Sequence, residues 1–176
     1  MSLEKELTDA RKDVITDGYE MSIGELVSLY KEKELVINPE FQRYFRCDDG
    51  RKTKFVESIL LGIPIPPIFV FQTSNGVWEL VDGLQRVSTL LEFTGELYSP
   101  EGEKVPPSTL DATKLLPSLA GYSWVGGSGS KALTNAQKLD IKRARMRVEI
   151  LKRESDLHPS LSSFNDSIRE GQPYQN

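Results

Sequence analysis

The residues best placed to do chemistry lie at one junction, Asp82-Gly83-Leu84-Gln85-Arg86, where the apolar run Val77 to Val81 breaks into the amphipathic stretch Val87-Ser88-Thr89-Leu90-Leu91. A strand that turns at Asp-Gly into a helix presents backbone N–H groups without intrahelical partners, together with the positive end of the helix dipole. That end attracts a phosphate before any side chain contributes. Arg86 adds a planar guanidinium of permanent charge. Gly83 permits a tight turn and the close approach of a ligand, and Asp82, at the carboxyl end of the strand, is placed to orient a water or hold a divalent ion. The same residues admit a plain structural reading, with Asp82 as an N-cap and Arg86 as a surface charge.

The elements that must position this junction are set by patterning. Ser22-Ile23-Gly24-Glu25 reads as a capping box opening a helix with Ile23, Leu26, Val27 and Tyr30 on one face. A short strand, Leu35 to Ile37, runs into Pro39. A second helix from Arg51 carries Phe55, Val56, Ile59 and Leu60 on one face, with Gly62 as its C-cap. Pro64-Ile65-Pro66-Pro67 cannot continue it. The spacing predicts a hairpin of Ile68 to Gln72 and Val77 to Val81 joined by Thr73-Ser74-Asn75-Gly76, then a helix from Gly83 to near Gly95. Tyr98 to Ser130 reads as a long excursion with a short helix around Leu110 to Leu116. Gly126-Gly127-Ser128-Gly129-Ser130-Lys131 in it lacks the full spacing and the preceding strand of a phosphate loop. Thr134-Asn135-Ala136-Gln137 opens a last helix to about Arg145, and Arg147 to Leu151 reads as a strand.

Composition narrows the class. With 176 residues, 38% hydrophobic and 27% charged, the chain is expected to fold as one domain over residues 21–157, preceded by an arm or helix (1–20) and followed by a polar tail (158–176). No apolar run reaches transmembrane length and no signal-peptide pattern is present, so a cytoplasmic location without membrane contact is expected. Cys47 is the only cysteine, which excludes an intramolecular disulfide, and His158 is the only histidine, which leaves too few ligands for a His-Asn-His or zinc-dependent nuclease centre. The net charge of −4 means that nucleic-acid binding would need a local patch. Arg43, Arg46, Arg51, Lys52 and Lys54 form one, and Lys138, Lys142, Arg143, Arg145 and Arg147 another.

Three motifs together, Asn38-Pro39-Glu40-Phe41-Gln42-Arg43-Tyr44-Phe45-Arg46, then Phe55 to Ile68, then Asp82 to Leu90, resemble the successive motifs of the GmrSD-type restriction endonuclease N-terminal domain family. The resemblance covers roughly residues 20 to 155, and Arg153-Glu154-Ser155-Asp156 is similar to the segment after the family's last strand here. It implies a ParB/sulfiredoxin-like α+β fold, a small mixed sheet with flanking helices. It also implies nucleotide-dependent activity in a type IV restriction and phage-defence system. The family's Asp-Gly-Gln-Gln-Arg falls on Asp82 to Arg86, and its Phe-Gln-Arg on Phe41, Gln42 and Arg43. Leu84 stands where the family has the first Gln, removing one amide that would hydrogen-bond a phosphate or an attacking water. Cys47 stands where Trp is usual. Relatives continue beyond this chain into a helical remainder and a His-Asn-His nuclease domain.

The expected function is therefore nucleoside triphosphate binding and hydrolysis with Mg²⁺. Phosphate would sit at Gly83, Arg86 and Arg43 would neutralise it, and Gln85 and Gln42 would position an oxygen or water. Asp82 would hold the ion or orient the nucleophile. This requires Gln42-Arg43 and Gln85-Arg86 to converge on one cleft. The alternative is a non-catalytic DNA-binding or adaptor module that recruits a nuclease partner and uses Arg43, Arg46 and Arg51 on DNA phosphates. Burial of Ile59 to Phe71 is expected. Uncovered apolar surface on the helices Phe55 to Leu61 and Val87 to Phe93, favouring self-association, is expected too.

Overall fold

The computed structural model describes residues 2–12, 14–43, 45 and 48–153. Helix α1 (Leu3–Lys12) leads into strand β1 (Val14–Ser22), and Ser22 then caps α2 (Ile23–Lys31), its hydroxyl accepting from the Glu25 N–H at 3.1 Å. Strand β2 (Leu35–Val36) and the short helix α3 (Pro39–Gln42) come next. In α3, Asn38 is the N-cap and Pro39 sits in the first turn, where a missing N–H costs nothing. Asp48 caps α4 (Asp49–Leu60), which ends through Gly62 at φ 72°, with the Ile63 N–H closing back on the Ser58 carbonyl at 2.9 Å.

Strands β3 (Ile68–Gln72) and β4 (Trp78–Asp82) form the expected hairpin, with Gly76 at φ 85°, and β4 runs through Gly83 into α5 (Leu84–Thr94). After a 3-10 turn (Pro117–Leu119), β5 (Tyr122–Ser123) and β6 (Lys131–Ala132) pair with each other. Helix α6 (Asn135–Arg143) opens with both halves of the Thr134–Gln137 capping box, and β7 (Arg145–Arg153) completes the main sheet.

That sheet is mixed, in the order β1-β7-β3-β4-β2. The β1–β7 and β3–β4 pairs are antiparallel, while β7–β3 and β4–β2 are parallel. Register places Ile68 beside Val148 and Val70 beside Ile150, and alternation sends these four to one face. There they make one core with Met21, Leu80, Leu26 of α2, Val56 and Ile59 of α4, Val87, Leu90, Leu91 and Phe93 of α5, and Ile141 of α6. The α+β class with a small mixed sheet is thus as the resemblance implies.

Several local expectations are corrected. Strand β1 and helix α3 are additions to the elements the sequence indicates, and β7 is longer at both ends than Arg147 to Leu151. No helix spans Leu110 to Leu116: Leu110 instead exchanges backbone bonds with Tyr122 and Gly121, at 2.7 and 2.9 Å. The stretch Ile59 to Phe71 is buried only at its ends. Leu61 to Pro64 are exposed, because the chain leaves α4 at the surface before re-entering the core at Ile68. The apolar residues Val87, Leu90, Leu91 and Phe93 are completely covered, and so are Val56 and Ile59 apart from a few per cent. The expected bare helix faces are therefore absent at these residues, whereas Phe55 and Leu60 are only partly covered and Leu61 is 45% exposed. Arg46, Cys47, His158 and the tail 158–176 lie outside the described residues.

Candidate functional site

The junction between β4 and α5 is built from the hairpin upward. A register shift between Phe69 and Val70 sets Phe69 opposite Asp82 but Val70 opposite Leu80, so β4 carries an extra residue just before the turn. Such a bulge bends the strand and re-aims the residues after it. Gly83 then takes φ 99°, and it rather than Asp82 is the N-cap residue of α5. No side chain caps this helix. Asp82 is therefore not spent on capping. Its carboxylate, 68% exposed, stands 3.5 Å from Arg86 Nη2.

Arg86 is the better-held member of that pair. Its Nη2 donates to the Pro67 carbonyl at 2.9 Å, and its side chain is only 26% exposed. The proline-rich turn presents that carbonyl rigidly, because two consecutive prolines fix the backbone leading into β3. The Arg86 Nε is buried and lacks a hydrogen-bond partner, as does the hydroxyl of Ser88 in the same helix, a residue with no exposed surface. A half-buried guanidinium with an unused donor, in the first turn of an uncapped helix, is an arrangement that favours an anion. Gln85 lies exposed in that same turn, and Leu84 packs partly buried against the core.

The other motif residues sit on α3, which packs against α5. The Gln42 side chain is buried, and its amide donates to the carbonyl of Tyr98 in the segment after α5. The Tyr98 N–H is in turn 3.3 Å from the Tyr30 hydroxyl, whose pKa burial pushes up. Gln42 is thus tied to the chain beyond the C-terminal end of α5, whereas Arg86 stands at its N-terminal end, so Gln42 does not join Gln85 and Arg86 in the single cleft expected from the sequence. Arg43 caps α3, is exposed, and has no carboxylate partner among the described residues. Arg51 is also exposed and lies 3.1 Å from Asp48.

Sequence reasoning missed the pair that holds this helix in place. Lys52 of α4 reaches Glu92 of α5, its Nζ 3.0 and 2.9 Å from the two carboxylate oxygens, with the two side chains only 13% and 12% exposed. Phe45 covers the ammonium at 5.3 Å, and Asp49 lies 3.5 Å away. Burial pulls the Lys52 pKa down, but the hydrogen bond and charge of Glu92, with Asp49, outweigh it and the net displacement is upward. A carboxylate inside Leu90-Leu91-Glu92-Phe93 was the available signal, since such a residue needs a partner when its neighbours are core.

Among the described residues no group of three His, Cys, Asp or Glu could hold a metal ion. Asp82 offers a single open carboxylate, which suits Mg²⁺ only if phosphate oxygens supply further ligands. No helix of the described residues is long and apolar enough to cross a membrane. A family model, that of the GmrSD restriction endonuclease, N-terminal domain, matches residues 23–172. No curated protein and no solved structure matches the chain.

Proposed function

We propose, from the premise that this chain belongs to the GmrSD restriction endonuclease N-terminal domain family, that within its restriction system it binds a nucleoside triphosphate at the N-terminus of α5 and hydrolyses it. The observation that supports this reading is Arg86: half-buried, in the first turn of an uncapped helix, with Nε lacking a partner. Phosphate oxygens would take the first-turn N–H groups and the exposed part of the guanidinium, while Nη2 keeps its bond to Pro67, and the buried Nε would be satisfied only by a small shift of the side chain. Gln85, exposed in the same turn, would orient a water, and Arg43 at the C-cap of α3 would add positive charge at a distance, since its neighbour Gln42 is tied to the other end of α5. Gln42 would serve from its place on α3 by tying that helix to Tyr98.

Mg²⁺ arriving with the nucleotide would be held by Asp82 and would supply charge neutralisation of the phosphates. A His-Asn-His nuclease domain or protein would cut the DNA, and the work would be done in the cytoplasm. The adaptor reading, with Arg43, Arg46 and Arg51 on DNA, has less behind it, because Arg51 already faces Asp48. The test is calorimetry with ATP and GTP in Mg²⁺ beside a phosphate-release assay. Binding by the wild type, weakened about 10- to 150-fold by Arg86→Ala, is expected. Absence of binding by the wild type, or equal binding by the variant, overturns the reading. Steeply salt-dependent DNA binding in its place would favour the adaptor.

A further inference from the structure

We propose a second nucleotide site, separate from the β4–α5 junction, in a cleft at the C-terminal end of α5: an unpaired base lies against Trp124 and its phosphate on Lys138 and Lys142. The cleft measures about 520 Å³, and its walls include Gly95, Lys104, Pro106, Pro107 and Trp124, with Thr94 and Glu96 supplying further polar atoms, while Lys138 and Lys142 stand at its margin against the Trp124 ring.

Three observations carry this. First, the indole is a fixed platform. It meets the fully buried ring of Phe93 edge-on, with centroids 5.8 Å apart and planes at 77°, and is itself only partly buried against the core. Secondly, two ammonium groups are gathered at that one ring, Lys138 Nζ at 5.8 Å and Lys142 Nζ at 5.9 Å from its centroid. They stand one turn apart on α6, where like charges repel, and neither has a carboxylate partner among the described residues. The ring's π-face offsets that repulsion in part, and a phosphate would offset it further.

Thirdly, the arrangement repeats beside it. Lys131 Nζ lies 5.7 Å from the ring of Tyr122, two residues before Trp124, and Lys131 also lacks a carboxylate partner among the described residues. In a chain of net charge −4, unpaired lysines collected against two aromatic rings are a local exception. Aromatic platforms interleaved with cations hold unpaired bases, whose π-faces stack whatever their identity. Glu96 offers an acceptor to an exocyclic amine at the base edge. It also pairs with Lys31 at 3.4 Å, which fixes its direction. Base and phosphate could come from a free mononucleotide or from a single strand.

The full chain carrying Trp78→Phe keeps Trp124 as its sole tryptophan reporter. It would be titrated with the four 5′-mononucleotides, with a short single-stranded oligodeoxynucleotide, and with poly-glutamate, at low and high salt. Quenching of Trp124 by mononucleotides identifies the free nucleotide as the source, and quenching by the strand alone identifies the strand. In either case Lys138→Gln/Lys142→Gln is expected to weaken binding about tenfold, and for the strand to reduce the salt slope by about 1.4. Arg86→Ala should leave this binding unchanged, which separates it from the site at the other end of α5. Circular dichroism checks that each variant is folded, and Lys138→Arg/Lys142→Arg should restore binding. No quenching by any nucleotide, quenching indifferent to the lysine pair, or equal quenching by poly-glutamate overturns the proposal.

Discussion

A β-carbon at residue 83 would stand 2.5 Å from Ile68 Cγ2 and 3.0 Å from Ile68 Cβ, so Gly83 and the first core residue of β3 are in direct contact. Ile68 is completely buried and has nowhere to retreat, and Gly83 itself sits at φ 99°, a region costly to residues with a side chain. The glycine of the Asp-Gly motif is therefore required by the fold whether or not a ligand approaches it. Gly83→Ala is expected to lower unfolding stability by about 2–4 kcal/mol, combining backbone strain with overpacking. Urea denaturation measures it, and in a double-mutant cycle Gly83→Ala should cost less in an Ile68→Ala background than in the wild type, although Ile68→Ala is itself destabilising. A variant as stable as wild type would show that the contact relaxes freely.

Arg86 contributes to the fold as well as to the proposed phosphate site. Arg86 read as a mere surface charge would matter little to stability, but its bond to the Pro67 carbonyl joins α5 to the turn before β3. Arg86→Ala is expected to cost about 1–2 kcal/mol, the value of a charge-assisted bond discounted for partial exposure. Asp82→Asn should stay within about 0.5 kcal/mol of wild type, because its ion pair is long and mostly in solvent. Thermal melts of the two variants would distinguish them, and equal losses would contradict this assignment.

Lys52 and Glu92 predict a stability change at alkaline pH. The folded Lys52 pKa lies above its ordinary value of 10.5, so the native state holds this proton more tightly than the unfolded chain. Its contribution is complete below about pH 10.5 and is lost as pH rises through the folded value. Lys52→Met removes that component and leaves Glu92 buried without its cation, costing about 3–5 kcal/mol, whereas Lys52→Met/Glu92→Met should recover most of the loss. Denaturation of the three proteins at neutral and alkaline pH checks both signs. A double variant as unstable as the single would mean that the pair is not the clamp.

The parts of the fold legible in the sequence were those encoded over a few residues. The Asn75-Gly76 hairpin, the Thr134 capping box and the Gly62 helix stop each state their geometry locally. Strand β1 was not legible because Asp17 and Gly18 interrupt it, and the strand it pairs with, β7, lies far from it in the sequence. Leu110 to Leu116 read as a helix from its leucines, yet tertiary contacts with Tyr122 and Gly121 take its backbone elsewhere. At the candidate site the sequence located Asp82, Gly83 and Arg86 together. It did not disclose that Pro67 and Ile68 complete the turn, nor that Lys52 holds the helix, because those partners arrive from other elements.

Leu84→Gln isolates the one departure from the family motif at this turn. Leu84 packs partly against the core, so placing an amide there is expected to cost no more than about 1 kcal/mol, provided that the longer head reaches solvent at the exposed start of α5. If the missing amide limits turnover, an interaction made chiefly with the attacking water or the transferred phosphate should raise the rate while leaving nucleotide affinity within about a factor of ten. Phosphate release and calorimetry on wild type and variant measure the two effects separately. A higher affinity with no gain in rate would place the restored amide on the ground-state nucleotide, and Leu84 would then not be what limits hydrolysis.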